Sequence, residues 1–208
     1  MLILIHARRE NIMTLPIAII IPTLDEARGN ATGKLAQLTA GCETRLIVVA
    51  GPKRGFTKTV NDGLRQTTTE DVCILNDDVT QFQHGWLATL HKGLYSQPNF
   101  GIAGPGGKSA SESREGRVGM RGLQVCRQLS FWCVLIRRAT LNAVGLLDER
   151  FVHYCSDNAF CVQARKKGWM AVWVRSVYLE HTHHGSGLQG KWKQQDQRLY
   201  LPRRYGGK

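Results

Sequence analysis

The chain reads as short, largely apolar runs separated by amphipathic stretches and polar turns. Ile17 to Ile21, Arg45 to Ala50, Val72 to Leu75, Phe100 to Ala103 and Leu129 to Ile136 are such runs. Runs of this length with little internal alternation predict strands covered on both faces. Between them the period changes. Val60 and Leu64 stand four apart within TKTVNDGLRQTT, and Trp86, Leu87, Leu90 and Leu94 share one side of a helix predicted over Gly85 to Gln97 and closed by Pro98. Further helices are expected near Thr32 to Thr39, over Arg138 to Leu147, and from Ser156, a good capping residue, with Phe160, Cys161 and Ala164 facing inward. Trp169 to Val174 and Val177 to Glu180 predict two last strands. Strands alternating with helices predict an α/β fold with a mainly parallel central sheet.

Three stretches fall outside this pattern. Residues 1–13 make a poor start, since a second methionine, Met13, stands just before the first convincing strand; they read as a floppy arm or a misassigned start. The remainder, 14–208, reads as one domain without internal repeats. Within it, residues 104–128 form a long Gly-, Ser- and Arg-rich loop, in which Gly104 to Arg127 carries five basic residues against two acidic. A loop this long inside a compact domain is usually functional or disordered. Residues 185–208 read as a basic tail after the cluster HTHH.

Composition narrows the function class. At 208 residues and 42% hydrophobic content the chain can bury a sizeable core. No apolar run approaches the roughly 20 residues that span a bilayer, and the apolar start stops at His6, Arg8 and Arg9, without the order of a signal peptide. A cytoplasmic protein is expected. The six cysteines form no C-x-x-C pair and read as small buried hydrophobes. Lys and Arg outnumber Asp and Glu by 28 to 16, a net charge of +12, which favours polyanionic partners: nucleic acid, phosphosugars or acidic membrane surfaces.

The chemistry concentrates in DVCILNDDVT, where the strand Val72 to Leu75 breaks into Asn76, Asp77 and Asp78. In open α/β sheets ligands bind at the carboxyl ends of the strands. Mg²⁺ or Mn²⁺ typically takes one or two carboxylates plus substrate phosphates, so the placement suits a metal-nucleotide site. A plain polar turn after a strand is the competing reading, because Asn and Asp are good turn formers.

Taken in order, these segments resemble the family 2 glycosyltransferases of the GT-A (Rossmann-like) fold, over roughly residues 15 to 205. The resemblance is carried by IIIPTLDE at the first strand, GFTKTVNDGL before the carboxylate strand, and LNDDV followed by Gly85 and Trp86. It continues through FWCVLIRRATLNAVGLLDERF, SDNAFCVQARKKGW, the late histidines and RLYLPRRYG. It implies an inverting, metal-dependent transferase that uses a nucleoside-diphosphate sugar, with Mn²⁺ or Mg²⁺ as cofactor. On that footing Asp78 and His183 would hold the metal, with His181 the rival for the second place. Asn76 and Asp77 would lie near the ribose, and Pro22, Thr23 and Asp25 would cradle base and ribose. Lys58 and Asn61 would approach the nucleotide sugar, and Asp157 would be the catalytic base. Trp132, Arg114, Arg117 and Arg121 would border the acceptor. Two departures bear on this. Ala50 stands where the family usually has an Asp that reads uracil, which leaves UDP as a default, and Ser156 replaces the acid that usually precedes the base.

Several alternatives stand beside it. Asp157 could be only the acidic first turn of a helix. His181, His183 and Cys155 could form a structural zinc site, and Lys53, Arg54 and Lys58 a solvated surface. The whole could be a nucleic-acid-binding module on a degenerate transferase fold, or a nucleotidyltransferase. For the acceptor, the charge of the loop and tail predicts DNA bearing a hydroxylated base, which would be flipped out to reach Asp157. The alternative acceptor is a lipid-linked or polysaccharide glycan.

Overall fold

A computed structural model of the chain describes residues 15–51, 54–108, 121–182 and 189–205. The first three strands and two helices follow in βαβαβ order: β1 (Ile17–Thr23), α1 (Glu26–Thr39), β2 (Thr44–Ala50), α2 (Phe56–Leu64) and β3 (Val72–Leu75). Then come β4 (Val79–Phe82), α3 (Trp86–Leu94), β5 (Phe100–Lys108), β6 (Leu123–Cys126) and β7 (Cys133–Ile136). The chain closes with α4 (Arg138–Val144), α5 (Ser156–Lys166), β8 (Met170–His181) and α6 (Gln189–Tyr205).

All eight strands join one sheet, in the order β2-β1-β3-β7-β5-β8-β4 with β6 on β8. β1, β2, β3, β5 and β8 run in one direction, and β4, β6 and β7 run against them. The sheet is therefore mixed with a parallel majority.

The alternation of side chains along buried strands sorts the core into two layers. Ile17, Ile19, Ile21, Cys73, Leu75, Cys133 and Leu135 face the layer of α1 and α3, where Ala36, Trp86, Leu87, Leu90 and Leu94 meet them. Ala18, Ile20, Val72, Ile74, Val134 and Ile136 face the layer of α2, α4 and α5, against Val60, Leu64, Leu141, Phe160 and Ala164. Both faces are covered, which is why these strands read as apolar runs. α1 lies unusually close to the sheet: a Cβ at Gly33 would come 2.6 Å from a methyl of Leu46, and one at Gly29 would come 2.8 Å from Thr23 Cγ2. The approach fixes what the start of α1 can reach.

The structure departs from the expected elements at instructive places. α1 begins at Glu26 and not near Thr32, because Asp25 caps it by accepting from Arg28 N–H at 3.1 Å; the two glycines that weaken its helical pattern are required by packing. β4 follows Asp78 at once. The expected loop 104–128 contains the end of β5 and all of β6, whose side chains alternate exposed and half-buried at the sheet's edge, so no apolar pattern marks it; Arg114 and Arg117 lie outside the described residues. The two expected last strands are one, β8, and its pairing to β5 shifts register between Pro105 and Gly106, which takes up Arg175 to Val177. The expected tail is largely α6. That helix turns Trp192, Asp196 and Tyr200, spaced by four, toward the domain, and a charged residue in the middle of the face hides it from a hydrophobic scan. Among the described residues no helix is long and apolar enough to cross a membrane.

Candidate active site

Thr23 at the end of β1, Asn76 after β3 and His181 at the end of β8 lie at carboxyl ends of co-directional strands. β7 runs the other way, so Cys133 pairs with Leu75 and the residues before β7 arrive at the same end. One end of the sheet thus collects four separate segments.

Asp78 is buried, and its Oδ1 lies 2.7 Å from His181 Nε2. The same ring nitrogen is 3.3 Å from Asn76 Nδ2, and the ring stacks on Trp132 at 4.9 Å between centroids with an interplanar angle of 6°. The Asp78 carbonyl accepts from Thr182 N–H at 3.1 Å and from its hydroxyl at 2.9 Å, which locks the end of β8 to the carboxylate turn. His181 is brought to Asp78; His183, the other candidate, lies outside the described residues. Trp132, expected at the acceptor side, forms the wall behind His181, and its carbonyl accepts from Asn76 N–H at 2.7 Å.

Asp77 is held from α1. Its Oδ2 accepts from Arg28 Nε at 2.9 Å and Nη2 at 2.8 Å and from the Thr23 hydroxyl, while its carbonyl accepts from Thr32 Oγ1 at 2.8 Å. The hydrogen bond to Asp77 raises Arg28 above its ordinary value, with burial opposing. Sequence reading missed Arg28 and Thr32; the only available signal was their position in the first turns after the Asp25 cap. Asp25 spends its carboxylate on that cap, and Pro22 is the penultimate residue of β1.

Asp157 lies in the first turn of α5. Burial pushes its carboxyl above the ordinary range, and the N–H groups of Asn158, at 2.7 Å, and of Phe131 pull the other way. Ser156 does not serve as the cap: Cys155 holds that place with φ 63° and no side-chain hydrogen bond, and Ser156 is the buried first residue of the helix. Phe131 and Trp132 therefore tie the two acidic centres together, one through Asp157 and the other through His181 and Asn76.

The other two residues expected near the donor, Asn61 and Lys58, have partners on the loop after α4. Asn61 is fully buried, and its amide is used on Leu147, accepting from its N–H at 2.9 Å and donating to its carbonyl at 2.9 Å, with Glu149 at 3.0 Å. Both ends of the amide hold the loop after α4, so Asn61 acts in the scaffold. Lys58 is exposed and helps lower the Glu149 carboxyl, behind the larger effects of Asn61 and Arg65. Arg121 is exposed just before β6. The zinc alternative includes His183, which lies outside the described residues; burial pushes the Cys155 thiol up to about 11, and among the described residues no three His, Cys, Asp or Glu converge to hold a metal unaided. Asp78 and His181 alone suit a cation that completes its shell with substrate phosphates and water, as Mg²⁺ and Mn²⁺ commonly do.

No model of a known protein family matches the chain. A curated relative, the N-acetylglucosaminyl-diphospho-decaprenol L-rhamnosyltransferase of Mycobacterium tuberculosis, is 38% identical over 60 residues, 28% of this chain. The match spans a fifth (20%) of that relative's length. Glucosyl-3-phosphoglycerate synthase of M. tuberculosis, solved with Mn²⁺, UDP-glucose and phosphoglyceric acid, superposes with a TM-score of 0.64 at 13% identity, covering 90% of this chain and 79% of the other. A mannosyltransferase of Pyrobaculum calidifontis, solved with GDP-mannose and Mn²⁺, gives 0.58 at 14% identity over 89% and 64%. The chain has the fold of the GT-A glycosyltransferases.

Proposed function

We propose that this chain is an inverting glycosyltransferase that moves a sugar from a nucleoside-diphosphate sugar to an acceptor hydroxyl. The observation that carries the reading is the pair of unlike carboxylates on either side of Phe131 and Trp132: Asp78 in contact with His181, and Asp157 buried with a raised pKa. A carboxylate whose pKa is raised is the better general base near neutral pH. Asp157 takes the proton from the acceptor hydroxyl as its oxygen bonds to the anomeric carbon, and the bond from that carbon to the diphosphate breaks on the opposite face. Asp77, oriented by Arg28 and Thr23, is placed to bind the donor ribose. Asp78 and His181 would hold Mn²⁺ or Mg²⁺ with the donor diphosphate, and the cation when bound neutralises the charge of the leaving group.

Solved neighbours bound to UDP or GDP-mannose with Mn²⁺ support the donor class, and UDP is the first choice of nucleotide. For the acceptor, the name of the rhamnosyltransferase relative supports a lipid-linked glycan. The second reading, DNA with a hydroxylated base, rests on the net charge of +12. No comparison supports it, and the described part of the basic tail is a docked helix. The test is nucleotide release from a panel of UDP-, GDP- and dTDP-sugars with Mn²⁺, offered either a polyprenyl-diphosphate-linked sugar or hydroxymethylated DNA. Release dependent on the lipid-linked acceptor is expected. Labelled DNA would select the second acceptor, and no release with any pair, joined to no binding of nucleotide with Mn²⁺, would overturn the transferase reading.

A further inference from the structure

Helix α6 carries a carboxylate where a docking helix would ordinarily carry an apolar side chain. Asp196 is fully buried and lies midway between Trp192 and Tyr200 on the face that touches the domain. Its partners are three consecutive backbone N–H groups. Oδ1 accepts from Val152 at 3.0 Å, and Oδ2 accepts from His153 and from Tyr154, each at 2.8 Å. Successive N–H groups converging on one anion form a nest of the kind that binds phosphate or carboxylate ligands. Here the occupant is supplied by the chain itself.

Anchoring α6 does not require this arrangement. Tyr200 already takes a hydrogen bond from Gln128 at 2.6 Å, and an apolar residue at 196 would pack without burying a charge. What an apolar residue cannot do is fix the direction of three N–H groups. The segment so fixed is also held from its other side: the Val152 carbonyl accepts from Thr57 N–H at 3.2 Å, and the backbone of Gly55, at φ +93°, lies so close to that carbonyl that a Cβ would overlap it. Cys155 then turns at φ 63°, a conformation that a non-glycine residue keeps only under constraint, and Asp157 follows in the first turn of α5.

We infer that Asp196 is a positioning residue for the reaction: by filling the nest of Val152, His153 and Tyr154 it sets the entry of α5 and so the place of the Asp157 carboxylate. The inference rests on the reading of Asp157 as the base. Asp196→Asn keeps the size of the side chain but leaves one acceptor oxygen for three donors. In the full-length variant, amide exchange at residues 152 to 154 is expected to speed up by about tenfold or more while β1 and β3 stay protected. The titration of Asp157, followed by carbon NMR of its carboxyl, is expected to move toward the ordinary carboxylate range as the loop admits water. Transfer should lose about tenfold or more in kcat, because a base displaced by about 1 Å loses much of its rate, with the donor KM changed less than about threefold.

Unchanged exchange at the three amides would overturn the inference. So would faster exchange with an unchanged Asp157 titration, which would make Asp196 merely structural. Neither measurement needs turnover, so a wild-type chain that neither transfers sugar nor binds nucleotide with Mn²⁺ would refute the transferase reading and leave the positioning of Asp157 decided by NMR. If the variant fails to fold, native-state exchange of the wild type decides: the three amides should open together with those of Trp192 to Tyr200, and independent opening overturns the proposal.

Discussion

Replacing Asp157 with Asn separates the chemical role of this carboxyl from its structural one. The amide has the same outline, and its oxygen can still accept from Asn158 N–H, which lies 2.7 Å from the native carboxylate. It cannot take a proton. Loss of a general base typically costs about 10² to 10⁴-fold in rate, or about 3 to 6 kcal/mol of barrier at about 1.4 kcal/mol per decade. Stability should move the other way. The folded pKa of Asp157 is raised above the ordinary 3.8 because burial opposes the charge. Below that ordinary value the group is neutral in both folded and unfolded chains and costs nothing. As pH rises through the folded pKa the buried carboxylate must ionise, and stability is lost. Asp157→Asn should therefore match the wild type in acid and exceed it at neutral pH. Single-turnover transfer, calorimetric binding of nucleotide with Mn²⁺, and thermal unfolding across pH measure the three quantities. A variant with kcat within about threefold of wild type, or one less stable at neutral pH, would refute the assignment of Asp157 as a buried base.

Asp78→Ala should abolish metal-dependent transfer with little change in Tm, and His181→Ala should weaken Mn²⁺ binding more than His183→Ala does; titration calorimetry with Mn²⁺ and nucleotide orders the three, and the reverse order of the histidines would move the ligand by two residues. Arg28→Ala should raise the donor KM by about tenfold, equivalent to about 1.4 kcal/mol for a charge-assisted contact, while Tm moves little because the Arg28 side chain is 42% exposed. Glu70 is pushed up by burial but drawn down further by the N–H groups of Glu70, Thr68 and Thr69 and by Arg45, to about 2 from an ordinary 4.5. Its stabilisation is thus present above pH 4.5 and is lost as pH falls through about 2. Glu70→Gln should cost about 1–2 kcal/mol at neutral pH, reduced from the full linkage value by solvent screening, and close to nothing below the folded pKa, as urea unfolding would read.

The layered sheet was legible because both of its faces are buried. A strand such as Val72–Leu75, covered by α3 on one side and α2 on the other, must be apolar at every position, and no other soluble element of four residues writes that pattern so plainly. The break after such a run located Asn76, Asp77 and Asp78, since polar residues at the carboxyl end of a buried strand stand out against it, whereas Thr23 came only from the resemblance. Elements whose inner face is partly polar, or which lie at an edge, left no such mark. β6 alternates weakly at the margin, and α6 turns Asp196 inward. Asn61 shows what a motif leaves out: it pointed to the donor, and the fold shows its amide bonded to Leu147.

By itself the sequence determined the alternation of strand and helix from β1 to β3, the burial of β1, β3 and β7, and that two carboxylates follow the third strand, because hydrophobic burial and local propensity act through near neighbours in the chain. Tertiary structure alone decided which groups meet. That His181 faces Asp78 follows from the register of β8 against β4, where Val79 pairs with His181. That Arg28 reaches Asp77 follows from two glycines that let α1 approach the sheet, and that Asp196 organises the loop before Asp157 follows from a helix docking 42 to 44 residues downstream. Such contacts depend on register and distance of approach, which a one-residue slip in a strand would undo without altering the hydrophobic content of the chain.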